Sequence, residues 1–486
     1  MLFAICCVLI LLPLISAESM GSDWMMFQYN ASHVGCQLDG VGHFEYPRVL
    51  WVCRVGGFVV TQPLVADLNG DGTREVLVCT WNLTNFSKSI YCISAEGQVL
   101  WQHQDLVDAA RGIVPAISDL NADGNLEIVT AYDNRVYCVS GSGNVLWNCT
   151  LNVTFTTASP VVGDVNVDGL QEILVGGYRR LYCIDSKGVI LWWLNMWIEA
   201  RDCPALGDIN NDGIPEVLVT SGCNVLCLDS KGHLKWNSTL PYKASTTPAL
   251  IGQKHRGSLD VIVGCGRRIC CLNASGYVTW ISPELGDFSI SRALAAADID
   301  HDGNIELLAV TDDIVFCLSV NGTIRWSYTL PRVFRFETEF KGTAPVVADV
   351  NNDTLLEVLV GDTRGHIFCI GSDGTLLWSF KVESSIMAPP SVADINGDGI
   401  LEVIFGTKDG SVYCLHGTPK PLWLYLTSGL TRLFSQLKGT IAVLLGSSCV
   451  AVLLVALPFV VELRRRLTAA QGSHLSLYER LRPLGS

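Results

Sequence analysis

Residues 67–75 read Asp-Leu-Asn-Gly-Asp-Gly-Thr-Arg-Glu and lie between two apolar runs, residues 63–66 and 76–78. Carboxylate or amide oxygens stand at positions 1, 3, 5 and 9 of this stretch, on Asp67, Asn69, Asp71 and Glu75. A glycine stands at position 6, where the sharp turn of such a loop needs a positive φ. This spacing lets a short loop surround a hard cation with oxygen ligands. The stretch therefore predicts a metal-binding loop between two strands.

The same nine-residue pattern returns six times. Its oxygen-bearing residues complete the set of predicted metal ligands: Asp119, Asn121, Asp123 and Glu127; Asp164, Asn166, Asp168 and Glu172; Asp208, Asn210, Asp212 and Glu216; Asp298, Asp300, Asp302 and Glu306; Asp349, Asn351, Asp353 and Glu357; Asp394, Asn396, Asp398 and Glu402. An eighth slot begins at Gly252, but Lys254 and Arg256 occupy its positions 3 and 5, and Asp260 alone remains, at position 9. We expect that slot to bind no metal. The slots start 44 to 52 residues apart, which indicates a repeat protein.

Each repeat holds four short apolar runs bounded by Gly, Asn and Asp, which is the composition of β-strands. In seven of the repeats the fourth run ends in a Gly-x-x-x-Trp pattern, as in residues 97–101. Four strands per repeat of this length, without helical periodicity, are typical of a β-propeller. Eight slots predict an all-β propeller of eight four-stranded blades, with seven as the alternative if the degenerate repeat folds differently.

A propeller must close its ring, usually by adding a terminal strand to its last blade. Residues 49–55, which contain Leu50-Trp51, are the natural closing strand. Leu422-Trp423 near the other end carries the same pair and competes for the place. The pattern leaves this choice open.

The composition indicates a folded acidic protein. Of its 486 residues, 49% are hydrophobic and 16% are charged, and the net charge is −14. The seven intact loops hold 22 of the 47 acidic residues, so the acidity is concentrated where metal is expected. An acidic balance disfavours a nucleic-acid partner, because phosphate binding needs a basic face.

The first 17 residues resemble a secretory signal, with an apolar run followed by small residues before the cleavage site. Nine Asn-x-Ser/Thr sequons support export and predict N-glycosylation. They are Asn30, Asn82, Asn85, Asn148, Asn152, Asn237, Asn273, Asn321 and Asn352.

Residues 440–461 are uncharged and long enough to span a bilayer, and Arg464 to Arg466 follow them. By the positive-inside rule the tail is cytoplasmic, so we expect a single-pass type I protein. The predicted domains are a signal peptide (1–17), an N-terminal segment (18–48), the propeller (49–427), a juxtamembrane segment (428–439), the transmembrane helix (440–461) and a cytoplasmic tail (462–486). In the tail, Tyr478 and Leu481 fit a Tyr-x-x-Φ pattern that resembles adaptor-binding sorting signals.

The third run of every repeat carries one cysteine: Cys92, Cys138, Cys183, Cys227, Cys271, Cys317, Cys369 and Cys414. We expect these to be small core residues, since equivalent positions of neighbouring blades lie too far apart for a disulfide. Of the 19 cysteines, eight others in the expected ectodomain stand outside this pattern, and some of them should pair in an oxidising compartment. Their connectivity is not readable from the sequence.

The Asp-x-Asn-x-Asp-Gly-x-x-Glu loops resemble the FG-GAP/VCBS repeats of integrin α-chain propellers, and the Tyr-Cys…Gly-x-x-Leu-Trp half of each repeat is similar to blades of quinoprotein-dehydrogenase-like propellers. The two likenesses cover roughly residues 49–424. The first implies calcium on the lower face of the ring. Adjacent Cys270 and Cys271 are similar to the vicinal disulfide of some quinoproteins. The run Glu462 to Arg466 departs from the juxtamembrane motif of integrin α chains, which argues against an integrin subunit.

We expect a non-enzymatic recognition module: a membrane glycoprotein whose calcium-stabilised propeller binds a protein or glycan, at the plasma membrane or in the endomembrane system, with its propeller extracellular or lumenal. The alternative is a quinoprotein-like ectoenzyme. Two long loops opposite the metal face predict a partner-binding patch formed by Trp197, Arg201, Arg335 and Phe336, since Trp and Arg are enriched at hot spots and Phe is enriched in interfaces.

The Asp349 loop should be the weakest of the seven, because Thr354 replaces the glycine at position 6. A β-branched residue is strained at positive φ.

Overall fold

The structure, a computed structural model, describes residues 25–26, 30, 32–37, 40–196, 203–252, 258–290, 292–331 and 342–418. They all belong to one compact unit, residues 1–419. The described residues include no helix that is long and apolar enough to span a membrane. The predicted signal peptide, transmembrane helix and cytoplasmic tail lie outside the described residues.

Eight antiparallel four-stranded units form an all-β propeller, which confirms eight blades. Three strands precede the first complete blade: β1 Cys36–Gln37, β2 Tyr46–Arg54 and β3 Phe58–Val59. Blades 1 to 4 contain β4 Leu64–Ala66, β5 Glu75–Trp81, β6 Lys88–Ile93 and β7 Val99–Gln104; β8 Ala116–Ser118, β9 Glu127–Tyr132, β10 Arg135–Ser140 and β11 Val145–Thr150; β12 Val161–Gly163, β13 Glu172–Gly177, β14 Arg180–Ile184 and β15 Ile190–Asn195; β16 Ala205–Gly207, β17 Glu216–Ser221, β18 Asn224–Leu228 and β19 Leu234–Thr239.

The second half of the ring repeats this plan. Blades 5 to 8 contain β20 Ala249–Gly252, β21 Leu259–Cys265, β22 Arg268–Leu272 and β23 Val278–Ile281; β24 Ala295–Ala297, β25 Glu306–Val310, β26 Ile314–Ser319 and β27 Ile324–Thr329; β28 Val346–Ala348, β29 Glu357–Gly361, β30 His366–Ile370 and β31 Leu376–Lys381; β32 Ser391–Ala393, β33 Glu402–Gly406 and β34 Ser411–Thr418. A single 3₁₀ helix, Ala109–Arg111, lies between blades 1 and 2 in the described chain.

Burial along the strands explains their sequences. The second strand of a blade is buried along its length, as in β13 and β29, because other blades cover both of its faces. Such strands are continuous runs of Val, Ile and Leu. The outermost strand alternates between exposed and half-buried residues, as in β15 and β19, because one of its faces meets solvent.

The N-terminal strand β2 closes the ring as the outermost strand of blade 8, paired antiparallel with β34. In each of the other blades the third-strand cysteine faces the fourth-strand tryptophan, as Cys92 faces Trp101. In blade 8 the same partners are Cys414 and Trp51. Of the two candidates that the sequence left open, residues 49–55 thus supply the closing strand, and Leu422-Trp423 lies outside the described residues.

The Gly-x-x-x-Trp pattern joins neighbouring blades. Trp51 Nε1 donates to the carbonyl of Ala95 in the next blade at 2.7 Å, and five more of these tryptophans make the equivalent bond. Gly97, at φ +82°, lies against that indole, so that a Cβ there would come within 2.8 Å of the Trp51 ring. Glycine is needed for both its positive φ and its lack of a side chain.

The contact between blades 7 and 8, like the other contacts between neighbouring blades, is called a seam. It differs from the others because the outermost strand of blade 8 is the N-terminal strand β2, so no hairpin turn follows β34. Trp378 Nε1 is buried and has no hydrogen-bond partner. Its ring instead stacks on Phe44, with 5.5 Å between centroids. A residue from the N-terminal segment thus takes the place of the hairpin at this seam.

That segment, which we call the strap, comprises the described residues between Met25 and Glu45. Its carbonyls accept hydrogen bonds from the middle N–H of the innermost strands in blades 2, 5, 6 and 7, and the donors are Ile117, Leu250, Ala296 and Val347. Residues 36–37 pair parallel with β28, and Val41 bridges to Ile400. The strap therefore satisfies backbone groups that the innermost strands direct towards the ring axis.

The eight third-strand cysteines are all buried, with at most 1% exposure, which confirms their prediction as core residues. Burial raises the pKa of the Cys138 thiol to about 12. One disulfide joins Cys265 to Cys270 across the hairpin of blade 5. Cys270 is thus not in a vicinal disulfide with Cys271, which agrees with the place of both residues inside a strand.

Candidate metal centre

The seven acidic loops connect the innermost to the second strand of their blades, so they share one face of the ring. In all seven, Oε2 of the position-9 glutamate accepts the N–H of position 2, over distances of 2.9–3.1 Å. These glutamates open the second strands and are at most 4% exposed. The bond holds each loop over a buried carboxylate.

Positions 1 and 5 complete a repeated turn. Oδ2 of the position-1 aspartate accepts the N–H of position 6 at 2.8–3.1 Å. Oδ1 of the position-5 aspartate accepts the N–H of position 7 at 2.8–2.9 Å. The predicted ligand residues of each loop therefore share one hydrogen-bonded turn, and among the described residues three of the carboxylates come within 4.8 Å of one another only in the loop of blade 6.

Two positions of each loop adopt positive φ, although the sequence pattern predicted only position 6. Position 4 takes φ values of 54–73° whatever its residue, including Val167 and His301. At position 6, six glycines take 85–89° and Thr354 takes 73°. The N–H of Thr354 makes the longest position-6 bond of the seven, 3.1 Å to Asp349. The strain expected in this loop is thus present in its backbone.

Clustered negative charge is the main electrostatic property of the loops. Burial raises the pKa of Glu75 to about 7, and the carboxylates of Asp71 and Asp67 add to the rise. The same causes raise the pKa of Glu357 and of Glu402 to about 8. A cation beside these carboxylates would favour their charged form. Because all the donors are hard oxygens, the set suits Ca²⁺ or Mg²⁺ rather than a soft metal.

The position-3 amide faces the buried glutamate in four loops. Asn69 Nδ2 donates to Glu75 Oε1 at 3.1 Å, and Asn166, Asn210 and Asn351 make the same contact at 2.6–3.0 Å. Asn69 Oδ1, the atom that would bind a cation, accepts the N–H of Asp71. Metal binding through position 3 would therefore require these amides to rotate.

In blades 4 and 6 a basic side chain that the pattern did not predict reaches the loop. Lys235 Nζ lies 2.5 Å from Glu216 Oε1, and Arg325 Nη1 lies 2.5 Å from Glu306 Oε1. Ligand oxygens of Asp298, Asp300 and Glu306 lie within 4.8 Å of one another, and Oδ1 of Asp298 is buried without a hydrogen-bond partner. The sequence does carry a signal for Lys235 and Arg325, because the residue before the fourth-strand tryptophan is basic only in these two repeats.

The degenerate slot of blade 5 keeps the loop's framework without its ligands. Ile251 pairs with Asp260, which is 3% exposed, and Gly252 ends β20. Leu259, at position 8, donates its N–H to the carbonyl of Ile209 at position 2 of blade 4. The alignment of the slot with the seven loops is therefore supported by its backbone pairing, while Lys254 and Arg256 lie outside the described residues.

Neighbouring loops are linked through their main chains. Position 8 of blades 1, 3, 5 and 7 donates its N–H to the position-2 carbonyl of the preceding blade, at 2.9–3.4 Å. In blade 8 the equivalent N–H, from Leu401, donates to Val41 of the strap instead. The position-2 residue also donates its N–H to the glutamate of its own loop, so hydrogen bonds connect these pairs of neighbouring loops.

The other predicted sites are distributed as follows. Asn85, Asn148, Asn152, Asn237, Asn321 and Asn352 are exposed, while Asn30, Asn82 and Asn273 are half-buried. Asn30 belongs to the strap, where its Oδ1 accepts the N–H of Ser32 at 3.1 Å. The partner-binding residues Trp197, Arg201, Arg335 and Phe336, and the sorting residues Tyr478 and Leu481, lie outside the described residues.

Two family models match parts of the chain. Residues 41–110 match the λ-carrageenase β-propeller domain. Residues 87–198 and 132–322 match a model described as outer membrane protein assembly factor BamB. A comparison with curated proteins finds no match.

Solved structures with the same fold include proteins of different kinds. BamB from Moraxella catarrhalis is 15% identical, with a TM-score of 0.52, over 77% of this chain and 99% of that one. Quinohemoprotein alcohol dehydrogenase ADHIIG from Pseudomonas putida HK5 is 11% identical, with a TM-score of 0.60, over 82% of both chains. Rhamnogalacturonan lyase YesX is 15% identical, with a TM-score of 0.54, over 76% of both. The comparisons show a propeller with quinoprotein-like blades; the FG-GAP likeness stays a prediction.

Proposed function

We propose that this chain is a single-pass type I membrane glycoprotein whose calcium-stabilised propeller recognises a protein partner. The observation that carries the proposal is the set of seven equivalent acidic loops on one face of the ring. Each loop holds a glutamate that is almost fully buried beside two aspartates. A buried carboxylate needs a positive partner, and a divalent ion would supply one in the loops that no lysine or arginine side chain reaches.

The position of the strap supports recognition of a partner by the loops on the face opposite the metal loops. Its backbone pairs with innermost strands of four blades, and Phe44 fills the seam beside Trp378. His33 of the strap is 1% exposed, and its Nε2 lies 2.8 Å from the carbonyl of Pro204. The chain's own segment thus takes up space near the axis, so a partner would meet the loops of the face opposite the metal.

The alternative of a quinoprotein-like ectoenzyme would place convergent reactive groups at the axis and a vicinal disulfide in blade 5. The strap and the Cys265–Cys270 bond both argue against that alternative. The membrane and glycoprotein parts of the proposal rest on the sequence, with six of the nine sequons on exposed asparagines.

The test captures partners on the purified full-length chain in calcium and in chelator. We expect a calcium-dependent partner that is lost in an Arg335→Ala/Phe336→Ala variant whose calcium-dependent melt is unchanged. A partner released by glycosidase treatment would indicate glycan rather than protein recognition. Capture that is unaffected by both chelator and variant would contradict the proposal, and so would quinone-dependent dehydrogenase activity.

A further inference from the structure

The fourth strand of blade 4 delivers a lysine to its own metal loop. Lys235 Nζ lies 2.5 Å from Glu216 Oε1 and 3.9 Å from Asp212 Oδ2, which are positions 9 and 5 of the loop. Glu216 is 2% exposed, whereas the lysine side chain is 37% exposed. A positive charge is thus fixed beside the buried acid.

Blade 6 repeats this arrangement with an arginine. Arg325 Nη2 lies 2.6 Å from Asp300 Oδ2, and Nη1 lies 2.5 Å from Glu306 Oε1 and 3.7 Å from Asp302 Oδ2. The guanidinium therefore bridges positions 3, 5 and 9 of one loop. Burial raises the pKa of Glu306, and hydrogen bonds from the Ile299 N–H and from Arg325 oppose that rise.

Both cations come from the same structural position. Lys235 and Arg325 each stand 19 residues after their glutamate and directly before the seam tryptophan. In the five other acidic repeats that position is a leucine: Leu50, Leu100, Leu146, Leu191 and Leu377. A leucine supplies no charge to a carboxylate; in blade 8 the basic group nearest the acid is instead a histidine, with His416 Nδ1 3.2 Å from Glu402 Oε1.

Blade 2 shows the space that the cations fill. A cavity of about 340 Å³ lies beside its loop, lined by Asn121, Glu127, Leu146 and Trp147 among others. Leu146 is the counterpart of Lys235 and Arg325, so the longer basic side chains reach into the region that stays open over Glu127. The place beside the position-9 acid is thus occupied by the strand's own basic side chain in two blades, and in blade 2 it is a cavity whose lining includes Lys187 of the next blade.

We propose that Lys235 and Arg325 are built-in counterions that replace the divalent ion in the loops of blades 4 and 6, so that calcium binds only the loops of blades 7, 8, 1, 2 and 3. The inference rests on the proposed function, because it assumes that the remaining loops bind calcium. With the degenerate slot of blade 5, blades 4 to 6 form a continuous arc whose loops fold without metal. Loss of calcium would then loosen one side of the ring and leave the other intact.

The experiment counts calcium ions on the purified full-length chain by equilibrium dialysis with radioactive Ca²⁺. We expect five ions on the unaltered chain, six on K235L, six on R325L and seven on the double variant. The reciprocal variant L191K places a lysine 19 residues after Glu172 and should bind four. K231L, which removes an exposed charge from the turn of the same blade as Lys235, is the matched control and should bind five.

Seven ions on the unaltered chain, or a count that K235L and R325L leave unchanged, would overturn the inference while leaving the proposed function in place. Absence of calcium from every variant would overturn the proposed function instead. In that case the counterion role is judged by melting in chelator, where K235L and R325L should melt below K231L, because each leaves a buried glutamate without its partner. Equal melting of the three variants would show that the two cations do not compensate the loops.

Discussion

The buried indole N–H of Trp378, which has no hydrogen-bond acceptor, gives a prediction with an internal control. Trp378→Phe removes an N–H that is buried without an acceptor, whereas Trp326→Phe removes an N–H that donates to the Ser372 carbonyl at 2.7 Å. Both changes shrink an indole to a phenyl ring at equivalent positions of neighbouring blades. Trp378 is the more buried of the two and loses a stacking contact with Phe44, so its apolar loss is at least as large and a smaller total cost would come from the missing hydrogen bond.

The magnitude follows from the two environments. The bond of Trp326 contributes about 0.5–1.5 kcal/mol net, and its removal also leaves a carbonyl without that partner. The N–H of Trp378 already carries the cost of burial without a bond, about 1–3 kcal/mol, which Trp378→Phe would relieve. We expect the Trp378 variant to be the more stable of the two by about 2 kcal/mol.

Urea denaturation of the full-length chain at fixed calcium measures this difference, provided that the slope of the transition is unchanged. Trp101→Phe is a second control, since Trp101 Nε1 donates to the Gly141 carbonyl at 3.0 Å. Its loss should match that of Trp326→Phe. A loss at Trp378 as large as at the two bonded tryptophans would refute the reasoning.

The remaining predictions concern the metal loops, the strap and the tail. At free calcium tenfold above Kd each occupied loop adds ~1.4 kcal/mol, so chelator should lower the Tm, and an unchanged Tm would contradict calcium binding. Thr354→Gly removes a β-branched residue from φ +73° and should stabilise the chain by about 1 kcal/mol and strengthen calcium binding in blade 7; weaker binding in the dialysis assay would show that the loop is not strained. Phe44→Ala empties a site that is 1% exposed and should cost about 3–5 kcal/mol by urea denaturation, whereas a surface-like cost below about 1 kcal/mol would mean that the strap does not hold the seam. Tyr478→Ala should raise the amount of protein at the cell surface, measured by antibody labelling of intact cells, and no increase would count against a sorting role.

The loops and the blade count could be predicted because their signals are local. Asp67 and Glu75 are eight residues apart, and one turn brings them together. The closing strand could not be chosen, because Leu50-Trp51 and Leu422-Trp423 carry the same pair. The strap could not be predicted because it is held largely by main-chain bonds, such as that from Leu250 to Ser32, which place few demands on its side chains.

Lys235, Arg325 and the disulfide could be predicted from the sequence only in part. Lys235 and Arg325 stand where five other repeats have a leucine, so an alignment of the repeats distinguishes them. Their contact with Glu216 and Glu306 depends on the register between the third and fourth strands, which only the structure supplies. The pairing of Cys265 with Cys270 likewise depends on how the hairpin of blade 5 is registered.

Closure of the ring by β2 has a consequence for the order of synthesis. Thr418, at the end of β34, follows Tyr46 at the start of β2 by 372 residues. At about 5–20 residues per second the ribosome needs roughly 20–70 s to cover that distance. During this time β2 has no partner strand, and Val49, Leu50 and Val52 lie on a nine-residue segment that could pair with any other open edge. β2, the first strand of blade 8 to be synthesised, must therefore be kept from pairing with other strand edges until β34, the last strand of that blade, has emerged.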